Sequence, residues 1–320
     1  MQEFPKLRCI PLAGYGLKFS SKKWKTFLKI IWQIPKILVK IKRENEWLTD
    51  FLANNKIDAI ISDNRYGLYN TNIFSIFITH QLTIKTPFGK FFESRVRKLN
   101  YWFIQKFSEC WVPDFEGNIN MGGELSHPIN MPLLPVKFLG RVSRIDEKQP
   151  SIKGIELLII LSGPEPQRTI FENILLNQLK GYFKPVVLVR GLPGEKETHI
   201  SPVKNLCIYN HLDTDILANL ICSATYIISR SGYSTIMDLT GLQKKCILVP
   251  TPGQTEQEYL AHYLSSRNIC LSFHQSSFSL SEAILIASDT KFVHFTNAGE
   301  GQYKKVVSDF IDALQRRKAN

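Results

Sequence analysis

Six short segments are apolar nearly throughout rather than alternating: residues 57–62 (IDAIIS), 73–79 (IFSIFIT), 156–161 (ELLIIL), 185–190 (PVVLVR), 225–229 (TYIIS) and 245–249 (KCILV). Runs of this length without a polar face are expected of parallel strands covered by helices on both sides. Between them, residues 168–179, 213–222, 234–241 and 257–266 carry helix-like patterns, and an amphipathic stretch at 301–317 closes the chain. The alternation predicts an α/β fold with parallel sheets. Residues 126–154 hold four prolines and two glycines and mark the expected boundary. On this reading residues 1–140 form one Rossmann-like domain, 151–300 a second with at least four strand-helix repeats, and 301–320 a closing helix.

A chain of 320 residues is long enough for two domains with their own cores. With 44% hydrophobic and 21% charged residues, disordered and collagen-like classes are excluded. The net charge of +12 narrows the reading further, because it is unevenly spread. Residues 1–150 carry 23 Lys/Arg against 13 Asp/Glu, whereas residues 151–320 carry 17 against 15. An anionic partner is therefore expected at the N-terminal half. Residues 4–43 alone hold eleven basic residues and no acid. On a helix, Trp24, Phe27, Leu28, Ile31, Ile34, Leu38 and Ile41 recur every three or four positions, with Lys22, Lys25, Lys29, Lys36, Lys40 and Arg43 opposite, and Pro35 is expected to kink or divide it. Two readings stay open: residues 18–43 lie on an anionic membrane surface, or they pack a core-facing helix with a solvated lysine face. Nucleic acid is disfavoured, since the aromatics follow a helical pattern rather than the strands of a stacking platform. The six cysteines are at least 15 residues apart with no metal-ligand spacing. No secretory leader and no run of 18 apolar residues is present, so a cytoplasmic chain, peripheral on the cytoplasmic face of a membrane, is expected.

The densest chemistry lies in residues 227–264, IISRSGYSTIMDLTGLQKKCILVPTPGQTEQEYLAHYL. A strand ends at Ser229, Ser231 and Gly232 make a turn, and a helix begins near Ser234 or Thr235. Free backbone N–H groups at such a turn form an anion site. Arg230 adds positive charge, and Asp238 offers a carboxylate suited to two ribose hydroxyls. The next strand runs into a proline loop, residues 250–253, and then into polar Gln254–Glu258. Ser/Gly turns with capping residues also occur in α/β domains that bind nothing there.

The order of these elements resembles the donor-binding half of the MurG-like glycosyltransferases, glycosyltransferase family 28, which have the GT-B fold. The resemblance runs from about Lys56 to Leu264 and is strongest over residues 229–261. It implies a GT-B-like molecule, two Rossmann-like domains facing a central cleft. It also implies that Asp238 contacts the uridine ribose in place of the more usual Glu. Ser231, Gly232 and Thr235 would line the diphosphate, and Gln257 with Glu258 would face the donor sugar. Glu258 replaces the usual Gln, which leaves the sugar open. Residues 161–169 (LSGPEPQRT) match the first turn of the family's C-terminal domain imperfectly, with Arg168 placed for phosphate or base. Residues 210–213, with Leu212, stand where the family reads uracil through its backbone. Asp213 and Asp215 form a D-x-D pair that reads as a helix start rather than a metal site. No metal and no cofactor beyond the donor is implied.

In the N-terminal half, residues 60–69 and 77–87 each leave a strand end as a polar loop, the edge where α/β sheets place ligands. His80 and Gln81 resemble the family's His-Glu pair, and Asp63, Asn64 and Arg65 are further acceptor-side candidates. A lone His at a strand terminus is also commonly structural. Inverting transfer needs a general base, which the family carries on a Gly-rich loop after its opening strand. No such loop is found, so the N-terminal domain is expected to be incomplete by about one strand-helix unit, through truncation or as a natural variant. Asp63 and His80 remain weak substitutes. The leading expectation is an inverting, metal-independent transferase that moves a sugar, N-acetylglucosamine being one candidate, from a UDP-sugar to an unidentified acceptor, a lipid-linked glycan among the candidates. The alternatives are a UDP-sugar 2-epimerase and a non-catalytic UDP-sugar-binding or membrane-recruiting subunit.

Overall fold

A computed structural model describes residues 7–12, 14–15, 23–145, 154–194, 205–295 and 301–319. The basic N-terminal stretch forms α1, Lys23–Asn54, which runs through Pro35 as one element. Within α1, the side chains before Trp32 lie outside the described residues. Along the rest of α1, Ile41, Glu44 and Leu48 are buried, whereas Trp32, Leu38 and Val39 are exposed. Glu44 is tolerated inside because it is saturated: it accepts from the Tyr15 hydroxyl at 2.6 Å and the Gly67 amide at 3.0 Å, and it pairs with Arg65. Gly67 has to be glycine here, since a Cβ would collide with the Glu44 side chain and the Ile41 carbonyl.

The first sheet contains β1 (Ala59–Asp63), β2 (Phe74–Ile78), β3 (Glu109–Val112) and β4 (Val136–Phe138), parallel and adjacent in chain order. Helix α2, Lys90–Ile104, covers one face, where Phe77, Leu82, Ile104, Phe107 and Cys110 form a core. The other face is covered from the far end of the chain. Phe310 of α8, Gln302–Ala319, packs with Ile76, Trp111 and Leu139 and meets the Trp111 ring edge-on at 5.5 Å. The closing helix is thus part of the first sheet's core, and the chain crosses between the two sheets twice.

The second sheet has six parallel strands: β5 (Ile155–Ile160), β6 (Val186–Val189), β7 (Leu206–Tyr209), β8 (Ala224–Ser229), β9 (Lys245–Leu248) and β10 (Leu271–Ser272). Their order is β10-β9-β8-β5-β6-β7. Helices α3 (Gln167–Leu179), α4 (Thr214–Ser223), α5 (Tyr233–Thr240), α6 (Thr255–Ser265) and α7 (Leu280–Asp289) cover it. Apolar clusters on both faces account for the near-continuous hydrophobic runs of its strands. The chain winds outward from β5 to β7 and then returns to β5's other flank as β8. This reversal makes a crevice between the C-terminal ends of β5 and β8, where open α/β sheets bind ligands. Among the described residues no helix is long and apolar enough to cross a membrane.

Candidate functional site

Three strand ends converge on the crevice. After β5 the chain turns at Gly163, whose φ of 101° suits glycine. After β8 it passes through Arg230, Ser231 and Gly232 into α5, and after β9 through residues 250–254 into α6. Ser229 Oγ, Arg230 Nε and Thr251 Oγ1 are buried here without a hydrogen-bond partner. Each such orphan costs about 1–3 kcal/mol unless something bonds it. Beside them α5 begins at Gly232 with no side-chain cap, so its first-turn N–H groups, at the positive end of the helix dipole, lack intrahelical partners. The first-turn amides of α5 thus lack protein acceptors at the crevice, and three enclosed polar groups beside them lack protein partners.

Several residues that the sequence points to take other positions. Arg230 is fully buried rather than a free cation. Its guanidinium donates to the carbonyls of Val249 (3.1 Å), Pro250 (3.4 Å) and Gln167 (2.8 Å) and to Gln275 Oε1 (2.7 Å), and it lies 4.5 Å from the centre of the Phe171 ring. Burial pushes its pKa down to about 10, so it stays charged at neutral pH and ties the β9 loop to the start of α3. Arg168 is likewise engaged, by Glu165 at 2.5 Å and by buried Glu172 at 2.7 Å. Its pKa moves up: burial opposes the charge, but the hydrogen bonds it donates to Glu172 and Glu165 outweigh it. Glu172 also receives Arg190, whose Nη1 donates to Asn210 Oδ1 at 2.8 Å. This Arg–Glu–Arg–Asn cluster spans the ends of β6 and β7, and the sequence reading missed Arg190 because it closes a strand-like run.

Ser231 Oγ donates to the Gln257 carbonyl at 2.8 Å, tying the turn to α6. The Gln257 side chain accepts from the Thr251 amide (2.9 Å) and donates to Gln254 (2.6 Å), so it shapes the proline loop rather than standing free for a sugar. Glu258 accepts from the Gly253 amide at 3.2 Å. Asp238 Oδ1 accepts from Ser143 in the segment joining the domains at 2.6 Å. Thr235 and Gly232 are half-buried at the α5 turn, and Leu212 is half-buried after β7. Asp213 stands at the N-cap position of α4, with no capping bond from its side chain. Among the described residues no three His, Cys, Asp or Glu side chains are grouped to hold a metal.

Across the crevice, the loop after β2 meets the second domain. His80 Nε2 lies 2.9 Å from Glu256 Oε1, Gln81 donates to the other oxygen of Glu256, and the His80 ring stacks on Tyr233 at 4.1 Å. The Tyr233 hydroxyl donates to the Pro113 carbonyl, and burial, reinforced by Asp114, holds it un-ionised. His80 and Gln81 are thus brought to the donor half, on a carboxylate that the sequence reading passed over within EQE. Asp63 and Asn64 are exposed at the end of edge strand β1, and Arg65 is committed to Glu44. Sequence reasoning also missed the loop after β3. There, fully buried Asp114 accepts from the amides of Phe115, Met121 and Gly122 and from Ser126 Oγ at 2.5 Å, and Ser126 Oγ lies 2.9 Å from His127 Nδ1. Its signal was a GGELSH run, residues 122–127, just where the stretch read as a linker begins.

Residues 168–310, which include the β8–α5 and β9–α6 turns of the crevice, match the model of the glycosyltransferase family 28 C-terminal domain. Residues 168–310 are thus a glycosyltransferase family 28 C-terminal domain. One relative is a UDP-N-acetylglucosamine--N-acetylmuramyl-(pentapeptide) pyrophosphoryl-undecaprenol N-acetylglucosamine transferase of Sulfurihydrogenibium sp. (strain YO3AOP1). It is 24% identical over 115 residues, 35% of this chain, and the match spans only about a third of that enzyme, 32% of its length. Among solved structures, the glycotransferase of kitacinnamycin superimposes with a TM-score of 0.57 at 13% identity, covering 89% of this chain and 82% of the other. The UDP-GlcNAc 2-epimerase of Methanocaldococcus jannaschii gives 0.51 at 13% identity, covering 86% and 82%. At these identities the likeness is one of fold: the chain has the GT-B-like pair of parallel sheets.

Proposed function

We propose that this chain transfers a sugar, with inversion, from a UDP-sugar whose diphosphate lies in the crevice between β5 and β8. The observation that carries the reading is the uncapped start of α5 at this crevice, with the unpartnered Ser229 Oγ, Arg230 Nε and Thr251 Oγ1 enclosed beside it. A departing diphosphate gains negative charge in the transition state, and preorganised N–H and O–H donors stabilise it without reorganising. The α5 amides from Gly232 to Thr235 would take the phosphates. The loop around Leu212 would take the base, Asp238 the ribose in competition with Ser143, and Glu258 the sugar. The fold is shared with an epimerase, so the fold alone does not choose the reaction. The absence of a second sugar isomer, by proton NMR after incubation with a UDP-sugar, separates transfer from epimerisation.

A lipid-linked acceptor fits a patch on the first domain. Phe88, Phe91, Phe92, Leu99 and Trp102 are exposed at three- and four-residue spacing along and just before α2. Basic groups accompany them, with Arg95 lying 4.8 Å from the Phe91 ring centre and Lys106 3.9 Å from that of Trp102. Tyr101 holds the adjoining loop through the Asn130 carbonyl, and Ile129 and Leu133 there are almost fully exposed. An aromatic, basic face of this kind suits an anionic lipid surface. It is a stronger candidate than residues 18–43, of which only part is described.

UDP should raise the melting temperature, with a stabilisation of about 2.7 kcal/mol at a hundredfold excess over its dissociation constant. A well-folded chain whose melting is indifferent to UDP would count against the donor assignment.

A further inference from the structure

The segment that leaves β4 for the second sheet runs along α5, the helix whose uncapped start stands at the crevice. Arg141 lies against Gly241 at the far end of α5, where a Cβ would strike its guanidinium. Ser143 follows beside Asp238 and donates to its Oδ1 at 2.6 Å. Ile145 is buried in the core cluster that includes Ile236 and Leu239 of the same helix. The joining segment is thus packed against α5 at Arg141 and Ile145, with one polar tie between them. At that length the tie is a charge-assisted O–H···O⁻ bond. Among the described residues nothing bonds the second carboxylate oxygen, Asp238 Oδ2.

Helix geometry puts Asp238 on a flank that the first domain leaves open. Tyr233 and Thr240 face that domain, through the Pro113 carbonyl and the Met121 sulfur. At about 100° per residue Asp238 falls between Ser234 and Thr235 of the first turn, and it lies about 9 Å along the axis from Gly232. Phosphates at the start of the helix and a ribose one and a half turns further on match the span of a nucleoside diphosphate. A ribose cis-diol has two hydrogens to give, and a carboxylate has two oxygens to receive them. One of those oxygens is held by the joining segment. Ser143 has a second acceptor at hand, however. Its Oγ lies 3.2 Å from the Ile145 carbonyl, while the Ile145 amide donates to it at 3.0 Å. A turn of the hydroxyl therefore moves its hydrogen from the carboxylate to the carbonyl and leaves the Ser143–Ile145 turn intact.

We propose that Ser143 is a specificity-determining residue for the nucleotide's sugar, acting through Asp238. A ribose takes Asp238 Oδ1 from Ser143 and so loosens the joining segment from α5. A 2′-deoxyribose, with one hydroxyl to give, is received by Oδ2 and leaves the tie in place. The proposal rests on the donor reading above and goes beyond it, because it makes the segment between the two sheets a sensor of which nucleotide is bound. The competition weakens the ribonucleotide alone: a bond to a charged oxygen is exchanged for one to a neutral carbonyl. Ser143 itself makes no bond to the ligand.

The test titrates UDP and 2′-deoxy-UDP into the full chain by calorimetry, in the parent and in Ser143→Ala, Ser143→Thr and Asp238→Ala variants. Ser143→Ala should tighten UDP about three- to tenfold, the difference between a hydrogen bond to a charged group and one to a neutral group, and change 2′-deoxy-UDP by no more than about twofold. Ser143→Thr, which keeps the hydroxyl, should return the parent's ratio of affinities, and Asp238→Ala should bring the two nucleotides to equal affinity. A serine that only braced the joining segment would not alter that ratio. Amide exchange of residues 141–145 in the parent, which depends on no variant's fold, should quicken with UDP and not with 2′-deoxy-UDP. A Ser143→Ala effect equal for both nucleotides, UDP bound more weakly by that variant, or a joining segment that exchanges alike with both nucleotides overturns the proposal and leaves the donor site standing. If neither nucleotide binds the folded parent, the donor reading falls with it.

Discussion

At the scale of single residues, the site is defined more by unsatisfied donors than by charge. The arginines that the sequence offers for phosphate, Arg168 and Arg230, are consumed by carboxylates and carbonyls. The hydroxyls of Ser229 and Thr251, silent in the sequence, are left without partners. Ser229→Ala together with Thr251→Val removes two orphans and leaves the chain shape unchanged. The expected outcome is equal or higher thermal stability with weaker UDP affinity, by about tenfold or more, since a hydrogen bond to a charged group is worth about 1.5–3 kcal/mol. Calorimetric titration checks it. His127 adds a pH dependence. Its native pKa is depressed, so as pH falls below about 6.5 the unfolded chain takes up a proton before the native one does. Stability is then lost as pH falls from the unfolded value towards the native one. His127→Gln should lose less melting temperature than the parent between pH 7 and pH 5, and parallel curves would contradict the assignment.

At the scale of elements, the strands of the crevice were legible because length, composition and context agreed. All six apolar runs became strands, and the five helical patterns became α3 to α6 and α8 with ends displaced by one or two residues. Strands β3, β4, β7 and β10 have two to four residues each and are too short to give a period. α2 escaped because its apolar residues lie on two sides: Phe103 and Ile104 face the core while Phe91 and Trp102 face solvent. The exposed half of that pattern is what the proposed lipid contact rests on. Phe91→Ser with Trp102→Ser should reduce sedimentation with phosphatidylglycerol vesicles several-fold without lowering the melting temperature, and unchanged sedimentation would remove α2 from the membrane account. α8 was read as a separate closing helix because sequence order says nothing about which sheet a terminal helix returns to. Since Phe310 fills the face made by Ile76, Trp111 and Leu139, Phe310→Ala should cost about 3–5 kcal/mol of unfolding free energy. Denaturant unfolding would show it.

At the scale of the molecule, the two sheets meet through side chains that no local pattern reveals. Glu256 receives His80 and Gln81, Thr255 donates to the Lys85 carbonyl at 2.9 Å, and Tyr233 reaches the Pro113 carbonyl. These contacts bring the first domain's loops against the starts of α5 and α6, beside the donor crevice. His80, taken from the sequence as a weak base, acts in the structure as part of this closure. A double-mutant cycle between His80→Ala and Glu256→Ala should return a coupling of about 0.5–3 kcal/mol, and additive losses would show that the pair contributes nothing.

The central claim is that UDP sits where β5 and β8 part. Amide hydrogen exchange with and without saturating UDP tests it most directly, because it reads the backbone groups that the claim assigns to the phosphates and the base. The account expects slowed exchange confined to residues 229–235, 250–254 and 210–213. Unchanged exchange in those segments, or protection centred on the first sheet, would contradict it.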